Sequence, residues 1–397
     1  MQDNPQPTVA DAKMAAVQVL RNNANGNYQG LPRTAGWGYP EPYTRDLMIS
    51  MPGFLLSRDP VCEDQMRRTL ECLAHNQTAL GHIPSLVHDP GDRGASDTTP
   101  LFLFGLAIFR RHVGEPLFLD AAAQKAMTWM RYQSPDDLVM VGQLPTSDWR
   151  DEHWVVGYGL YVNAICYTYL RQYGRHDEAN LLRQLMNRFE LTAPQTGRKA
   201  HEGLALPQRP YYAMCSYKIH HDERFDLLGN SLAILAGVAS RSRAQRLINW
   251  VEAECEQLRA NGELALGLPP CLFPYMRPGD ADWRPRYAQF NLPGEYHNGG
   301  VWPFICGFYV AACVAAGRFD LAQRNLQALV CLVKPWHENQ AEWGFNEQFN
   351  ALTGKPAGRD WQTWSAAMFL YAARCVETKS TPWFDEVRAA QASALSK

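Results

Sequence analysis

The side chains able to do chemistry in this 397-residue chain gather in stretches dense in Trp, Asp, Glu, His and Gly that separate apolar segments. One stretch carries Trp37, Tyr39, Glu41, Tyr43, Arg45 and Asp46, and another His82, His88, Asp89, Asp92, Arg93 and Asp97. A third runs Asp148-Trp149-Arg150-Asp151-Glu152-His153-Trp154, a fourth spans Glu295-Tyr296-His297-Asn298 to Trp302, and a fifth holds Trp336, His337, Trp343, Glu347, Trp361, Gln362 and Trp364. Indole and phenol rings offer flat apolar faces with a polar handle, while carboxylates, amides and arginines match hydroxyl groups. That mixture suits a sugar. Breaking a glycosidic bond takes one carboxylic acid to protonate the leaving oxygen and one carboxylate to activate water or act as nucleophile. Asp151 and Glu347, in different stretches, are the pair we select, with Asp148 and Glu152 close enough to Asp151 to compete for the acid's place.

The elements that must position these groups are helices. Apolar residues recur at spacings of three and four over approximately 9–23, 45–57, 61–79, 98–113, 117–132, 154–173, 176–190, 224–240, 242–259, 300–316, 319–334 and 361–377, with a last amphipathic piece near 381–394. Connections at 58–60, 114–116, 174–175, 241 and 317–318 are short and polar. The others, at 24–44, 80–97, 133–153, 191–223, 260–299 and 335–360, far exceed the median loop of about 4–6 residues. Short turns alternating with long loops put every long loop at one end of the array. Six hairpins closed into a ring would then converge their loops on one mouth, so the expected fold is all-α, an (α/α)6 toroid forming a single catalytic domain over 1–397. An open helical superhelix is the alternative, but the chain shows no fixed-period repeat. Small ribbons are expected at Val139 to Leu144 and Glu263 to Leu268.

Composition narrows the function. A net charge of −2 gives no long-range attraction to nucleic acid or to an anionic membrane. Met1 to Thr8 lacks the basic start and apolar run of a signal peptide, and no apolar run reaches the roughly 18 residues of a membrane span. Ten scattered cysteines without CxxC pairs read as reduced thiols in a cytoplasmic protein. No HExxH, Cys/His cluster or EF-hand spacing indicates a metal, and no P-loop or GxGxxG in a βαβ setting indicates a nucleotide, so no cofactor is expected. The expected partner is a small carbohydrate, with homo-oligomerisation left open.

Four segments, in order along the chain, then carry a resemblance. Leu228-Gly229-Asn230-Ser231-Leu232-Ala233-Ile234 resembles LGNLWSI of the neutral and alkaline invertases, and Tyr296-His297-Asn298-Gly299-Gly300-Val301-Trp302-Pro303 resembles their YHNGGxWP. Phe345 to Gly354 is similar to their PEYYDxxTG, and Trp361-Gln362-Thr363-Trp364 to their FQTW. Weaker echoes are Thr44-Arg45-Asp46-Leu47, Ser96-Asp97-Thr98 and Asp148-Trp149-Arg150-Asp151. After Asp97, however, Thr99-Pro100-Leu101-Phe102 is closer to debranching-type relatives, and Glu152-His153 replaces a family pair of arginines.

The resemblance implies a place among the six-hairpin glycosidases, a mostly inverting group that includes amylo-α-1,6-glucosidases and hydrolases of small glucosides such as glucosylglycerate. It puts Glu347 on the catalytic base and Asp151 on the proton donor, with an α-glucoside, sucrose or another, as substrate. Arg45, Asp46, Asp97, His297 and Gln362 would hold sugar hydroxyls, while Trp149, Trp302 and Trp364 would wall the pocket. Structural roles compete: an ion pair at a helix start for Arg45 and Asp46, a cap for Asp97 and a buried histidine for His297. Glycines 299 and 300 would permit close backbone packing. Two other functions are open: an epimerase or isomerase on the same toroid using a pair among His153, His220, His221 and His297, and a non-catalytic carbohydrate-binding protein.

Overall fold

A computed structural model describes residues 7–135, 139–188, 190–192, 199–201, 203–217, 220–333 and 343–394. Trp336 and His337 lie outside the described residues. Fourteen helices appear among those described: α1 (Val9–Asn23), α2 (Thr44–Leu56), α3 (Pro60–Asn76), α4 (Thr98–Val113), α5 (Asp120–Arg131), α6 (Leu160–Gln172), α7 (His176–Asn187), α8 (Leu227–Ala236), α9 (Arg241–Ala260), the one-turn α10 (Tyr287–Phe290), α11 (Pro303–Ala315), α12 (Phe319–Val333), α13 (Thr363–Thr378) and α14 (Phe384–Ala394).

Six of these form a closed ring. Helices α2, α4, α6, α8, α11 and α13 each pack on two neighbours in that order, and α13 returns to α2. Nearly every residue of α4, α6, α8 and α11 is buried, as the all-round apolar sequences Pro100 to Phe109 and Phe304 to Val314 demand. The ring is tight: a Cβ on Gly53 of α2 would lie 2.3 Å from the Ala367 backbone of α13, so only glycine lets these two helices meet. Amphipathic helices, such as α5, α7 and α12, pack outside with one apolar stripe inward. Helix α1 packs on α13, while α14 lies across α6 and α8. This is an α/α toroid of six hairpins.

The loops hold more strand than their sequences suggest. Strands β1 (Gly142–Gln143), β2 (Gly157–Gly159), β5 (Ala213–Tyr217), β6 (His220–Asp226) and β7 (Leu272–Phe273) form one antiparallel sheet in the order β1-β2-β5-β6-β7, stitching three long loops together. Two hairpins, β3 (Glu190–Thr192) with β4 (Lys199–His201) and β8 (Gln348–Phe349) with β9 (Pro356–Ala357), complete the set. The ribbon near 139–144 exists as β1, whereas Glu263 to Leu268 is irregular. Its backbone is held by other contacts, such as the Ala265 amide donating to Ala351. The helix expected from 154 starts at Leu160, because 157–159 are drawn into the sheet; likewise the helix expected from 224 starts at Leu227 after β6. Sheet pairing across distant loops overrode the local apolar spacing there.

Candidate active site

The inner helices begin at the long-loop end, and the site is built from their first turns. Arg45 and Asp46 lie in the first turn of α2, Asp97 caps α4, Tyr161 opens α6, Trp302 caps α11, and Gln362 caps α13. None of the caps Asp97, Trp302 and Gln362 makes a side-chain capping bond, so their side chains serve other contacts.

Glu347 is placed by the β8–β9 hairpin. The pairs Gln348–Ala357 and Phe349–Pro356 set Glu347 opposite Gly358, and its amide donates to the Arg359 carbonyl at 2.8 Å. The Arg359 amide donates back to Glu347 Oε2 at 3.1 Å. Gly358 is required there: at φ +75° a Cβ would stand 2.2 Å from Glu347 Oε2. Reciprocal bonds between Val301 and Phe349, both 2.8 Å, tie this hairpin to the Tyr296–Trp302 segment. Burial drives the Glu347 carboxyl up to about 7, the Arg359 amide resists, and the charge of Asp151 adds to the rise.

Asp151 sits at a turn tip between buried anchors. Arg150 is 1% exposed and bonds Asp148 through both backbone and guanidinium, with Asp226 on its far side at 3.1 Å. His153 is 2% exposed and its amide donates to the Arg150 carbonyl. The three neighbouring carboxylates therefore separate. Burial works against the charge on Asp148, but Arg150 prevails and holds it well below the usual carboxylate range. Glu152 pairs with Arg286. Asp151 has no arginine or lysine ion pair among the described residues, and His297 Nε2 stands 3.9 Å from it. Its side chain is 57% open to water, yet protein surrounds enough of it to raise its carboxyl, with Glu152, Asp148 and Asp97 adding to the rise and Arg45 opposing it.

A cavity of about 450 Å³ is lined by Tyr39, Glu152, Tyr296, Glu347, Gln348 and Gly358, among others. The Tyr39 phenol is pushed up by burial and then by the charges of Glu347 and Asp151, and the Tyr296 phenol by burial and the same two charges. Tyr296 holds a positive φ of 43°, an unusual backbone for an aromatic residue and of the strained kind that clusters at functional sites.

Of the expected site residues, Glu347 lines this cavity and the others do not. Arg45 meets Asp97 through two bonds, 2.6 and 3.1 Å, rather than Asp46, and Tyr161 donates to Asp97 Oδ2 at 3.2 Å. Asp97 is fully buried, and both its oxygens accept hydrogen bonds from these neighbours. Trp149, Trp302 and Trp364 are also buried. Trp302 stands edge-to-face with each of the other two, at 5.4 and 5.9 Å, and Phe304 stacks on Trp364 at 4.1 Å. They form a buried aromatic cluster. The buried Trp149 and Trp364 indole nitrogens, His297 Nδ1 and Gln362 Oε1 have no hydrogen-bond partner among the described residues. His297 lies between Tyr296 and Trp302, stacked on both; burial, then His153 and Arg150, keep it neutral. Gly299 and Gly300 admit Tyr275 and the Tyr296 carbonyl at distances no Cβ would allow. Tyr161, Gly358 and Arg359 were not singled out from the sequence, since nothing local marks a helical tyrosine as the partner of a distant carboxylate or a glycine as facing one across a hairpin.

Asp46 carries a testable consequence. Burial, helped by Glu347 and Asp151 and opposed by Arg45, lifts its carboxyl from 3.8 to about 8. The folded chain therefore keeps a proton that the unfolded chain releases above pH 4. This contribution to stability is complete below that pH and is lost as pH rises through about 8, at up to about 1.4 kcal/mol per pH unit. Asp46→Asn escapes the loss, so its Tm relative to the parent should be higher at pH 8 than at pH 5 by a few degrees. Equal offsets in thermal scans at the two pH values would show that Asp46 is not held protonated.

Comparison with known proteins follows the same lines. The sequence model described as alkaline and neutral invertase matches residues 162–379. A mitochondrial neutral/alkaline invertase of Oryza sativa is 31% identical over 175 residues, covering 42% of this chain and 25% of that protein. A cytosolic invertase of the same species is 30% identical over 167 residues, covering 40% and 27%. The chain's match thus spans about a quarter of the length of these relatives. Among solved structures, a mannosylglycerate hydrolase from Thermus thermophilus in complex with Tris and D-glycerate superposes with TM-score 0.65 at 15% identity, over 90% of this chain and 99% of that one. A bacterial glucoamylase complexed with acarbose gives 0.62 at 14%, over 96% and 57%.

Proposed function

Because the chain belongs to the alkaline and neutral invertase family, we propose that it hydrolyses a small α-glucoside with inversion of the anomeric centre. The observation that carries this reading is that Glu347 and Tyr296 line a sugar-sized cavity while Tyr296 stacks on His297, whose Nε2 stands 3.9 Å from Asp151. Asp151, the more exposed of the two carboxylates, gives its proton to the leaving oxygen, which lies between the bound glucose and its aglycone. Glu347, buried and pinned by the Arg359 amide, takes a proton from the water that attacks the anomeric carbon from the opposite face. The aglycone leaves as an alcohol, and glucose leaves with inverted configuration. Arg45, Asp46, His297 and Gln362 hold the hydroxyls of the glucose, with Asp97 acting through Arg45.

The two carboxyls titrate as a pair. With Glu347 lifted to about 7, the free dyad keeps a proton on Glu347 until the pH climbs through that value. Reaction needs that proton on Asp151, and an aglycone seated over Asp151 displaces water from it and draws the proton there. His153, lowered to about 3 by burial and Arg150, and the neutral His297 fit less well as an exchanging acid and base pair, which favours hydrolysis over epimerisation.

Sucrose is the first substrate to test, followed by short α-glucans and a glucosylglycerate. All ten cysteines are free thiols, which fits a reducing compartment such as the cytosol; no described helix is long and apolar enough to cross a membrane. Each α-glucoside is incubated with the protein and the released sugar is followed by proton NMR. Early release of β-glucose is expected, whereas early α-glucose would overturn inversion, and no release from any of them would overturn hydrolysis.

A further inference from the structure

At the short-turn end of the ring, far from the carboxylates, the C-termini of α4 and α6 and the start of α14 enclose a cavity of about 490 Å³. Arg110, Arg111 and Arg171 line it, together with Tyr173, Trp383 and Glu386. The charges do not balance. Arg111 pairs with Glu386 at 2.9 Å, and Arg110 reaches the Phe118 carbonyl and, at 3.4 Å, Asp120. Arg171 is 4% exposed, its guanidinium lies over the Tyr167 ring at 5.7 Å with Nη1 3.4 Å from His176 Nδ1, and its Nε and Nη2 have no hydrogen-bond partner among the described residues.

An arginine near a helix C-terminus ordinarily satisfies the last carbonyls and the helix dipole. Those two unpartnered nitrogens show that Arg171 does not do so fully. Burying a guanidinium with free donors and no carboxylate is costly, and an anion accepting both N–H groups would offset that cost. Tyr173 lies under the Arg110 guanidinium at 5.4 Å, and Trp383 supplies a second aromatic surface. The volume is within the range of about 300–1,000 Å³ usual for small-molecule sites, larger than a bare ion needs.

We propose that this cavity binds a small organic phosphate, its phosphate oxygens accepting from Arg171 with Arg110 and Arg111 around them and its carbon skeleton against Tyr173 and Trp383. The site is independent of the hydrolytic reading. It is tested by titrating the full chain in a calorimeter with inorganic phosphate and with glycerol 3-phosphate at constant ionic strength. Saturable one-to-one binding is expected, tighter for the organic phosphate, and at least tenfold weaker in Arg171→Gln. Arg111→Gln, which alters a largely exposed side chain, should weaken binding severalfold without disturbing the fold. In phosphate-free buffer Arg171→Gln should unfold no earlier than the parent, because an unmatched charge has been removed. Absence of binding beyond the ionic-strength control, unchanged affinity in Arg171→Gln, or unfolding of that variant several degrees earlier without phosphate would each overturn the assignment.

Discussion

Glu347→Gln is expected to lose about 10²–10⁴-fold in kcat on any α-glucoside the parent hydrolyses, the range for removal of a positioned acid or base. The amide keeps an oxygen for the Arg359 N–H, so the hairpin should stay folded and KM should change little. Activity and a thermal scan of the same preparation separate these effects. The pH profile supplies the second half of the expectation. In the parent, kcat/KM should fall as pH climbs through about 7, where the Asp151–Glu347 pair gives up its last proton, and should fall again at acid pH where both carboxyls are protonated. A Glu347→Gln protein with nearly full turnover would remove this residue from the chemistry and with it the hydrolytic mechanism.

Asp151→Asn should fail selectively. On a natural glucoside, whose alcohol leaves poorly without a proton, a loss of about 10²–10⁴-fold is expected. On α-glucosyl fluoride, which needs no protonation to leave, the same variant should keep most of the parental rate, while Glu347→Gln should be slow on both. The comparison of the two variants on the two substrates assigns the roles. If Asp151→Asn is the one that fails on the fluoride, then acid and base are exchanged, an outcome the free-state titration alone would favour because Glu347 holds the proton more tightly. Depth argues the other way: the acid must reach an oxygen at the boundary between glucose and aglycone, and Asp151 is the more exposed of the two carboxylates.

The ring of helices was legible in the chain. Helix α4 occupies 98–113 as its apolar spacing requires, and most other helices begin and end within a few residues of expectation, because a helix that must bury one face writes that face into its sequence every three or four residues. Sequence alone also brought forward Asp151, Glu347, Arg45, His297 and Gln362, since chemistry-bearing residues in long loops between such helices have few purely structural duties. The sheet β1-β2-β5-β6-β7 was mostly invisible, as its strands are short and lie in loops far apart in the chain, so no local period announces their pairing.

What the sequence determined by itself was therefore the architecture, the end of the ring where the candidate site lies and a short list of side chains with the chemistry to act on a sugar. Only the tertiary structure decided which of them have a free hand: that Asp148 is spent on Arg150 and Glu152 on Arg286, that Asp97 stands behind Arg45, that three tryptophans pack on one another, and that Gly358 makes room for Glu347. Residue type fixes what a carboxyl can do, but its charge and reach depend on burial and on partners brought from other elements, and those are properties of the folded neighbourhood.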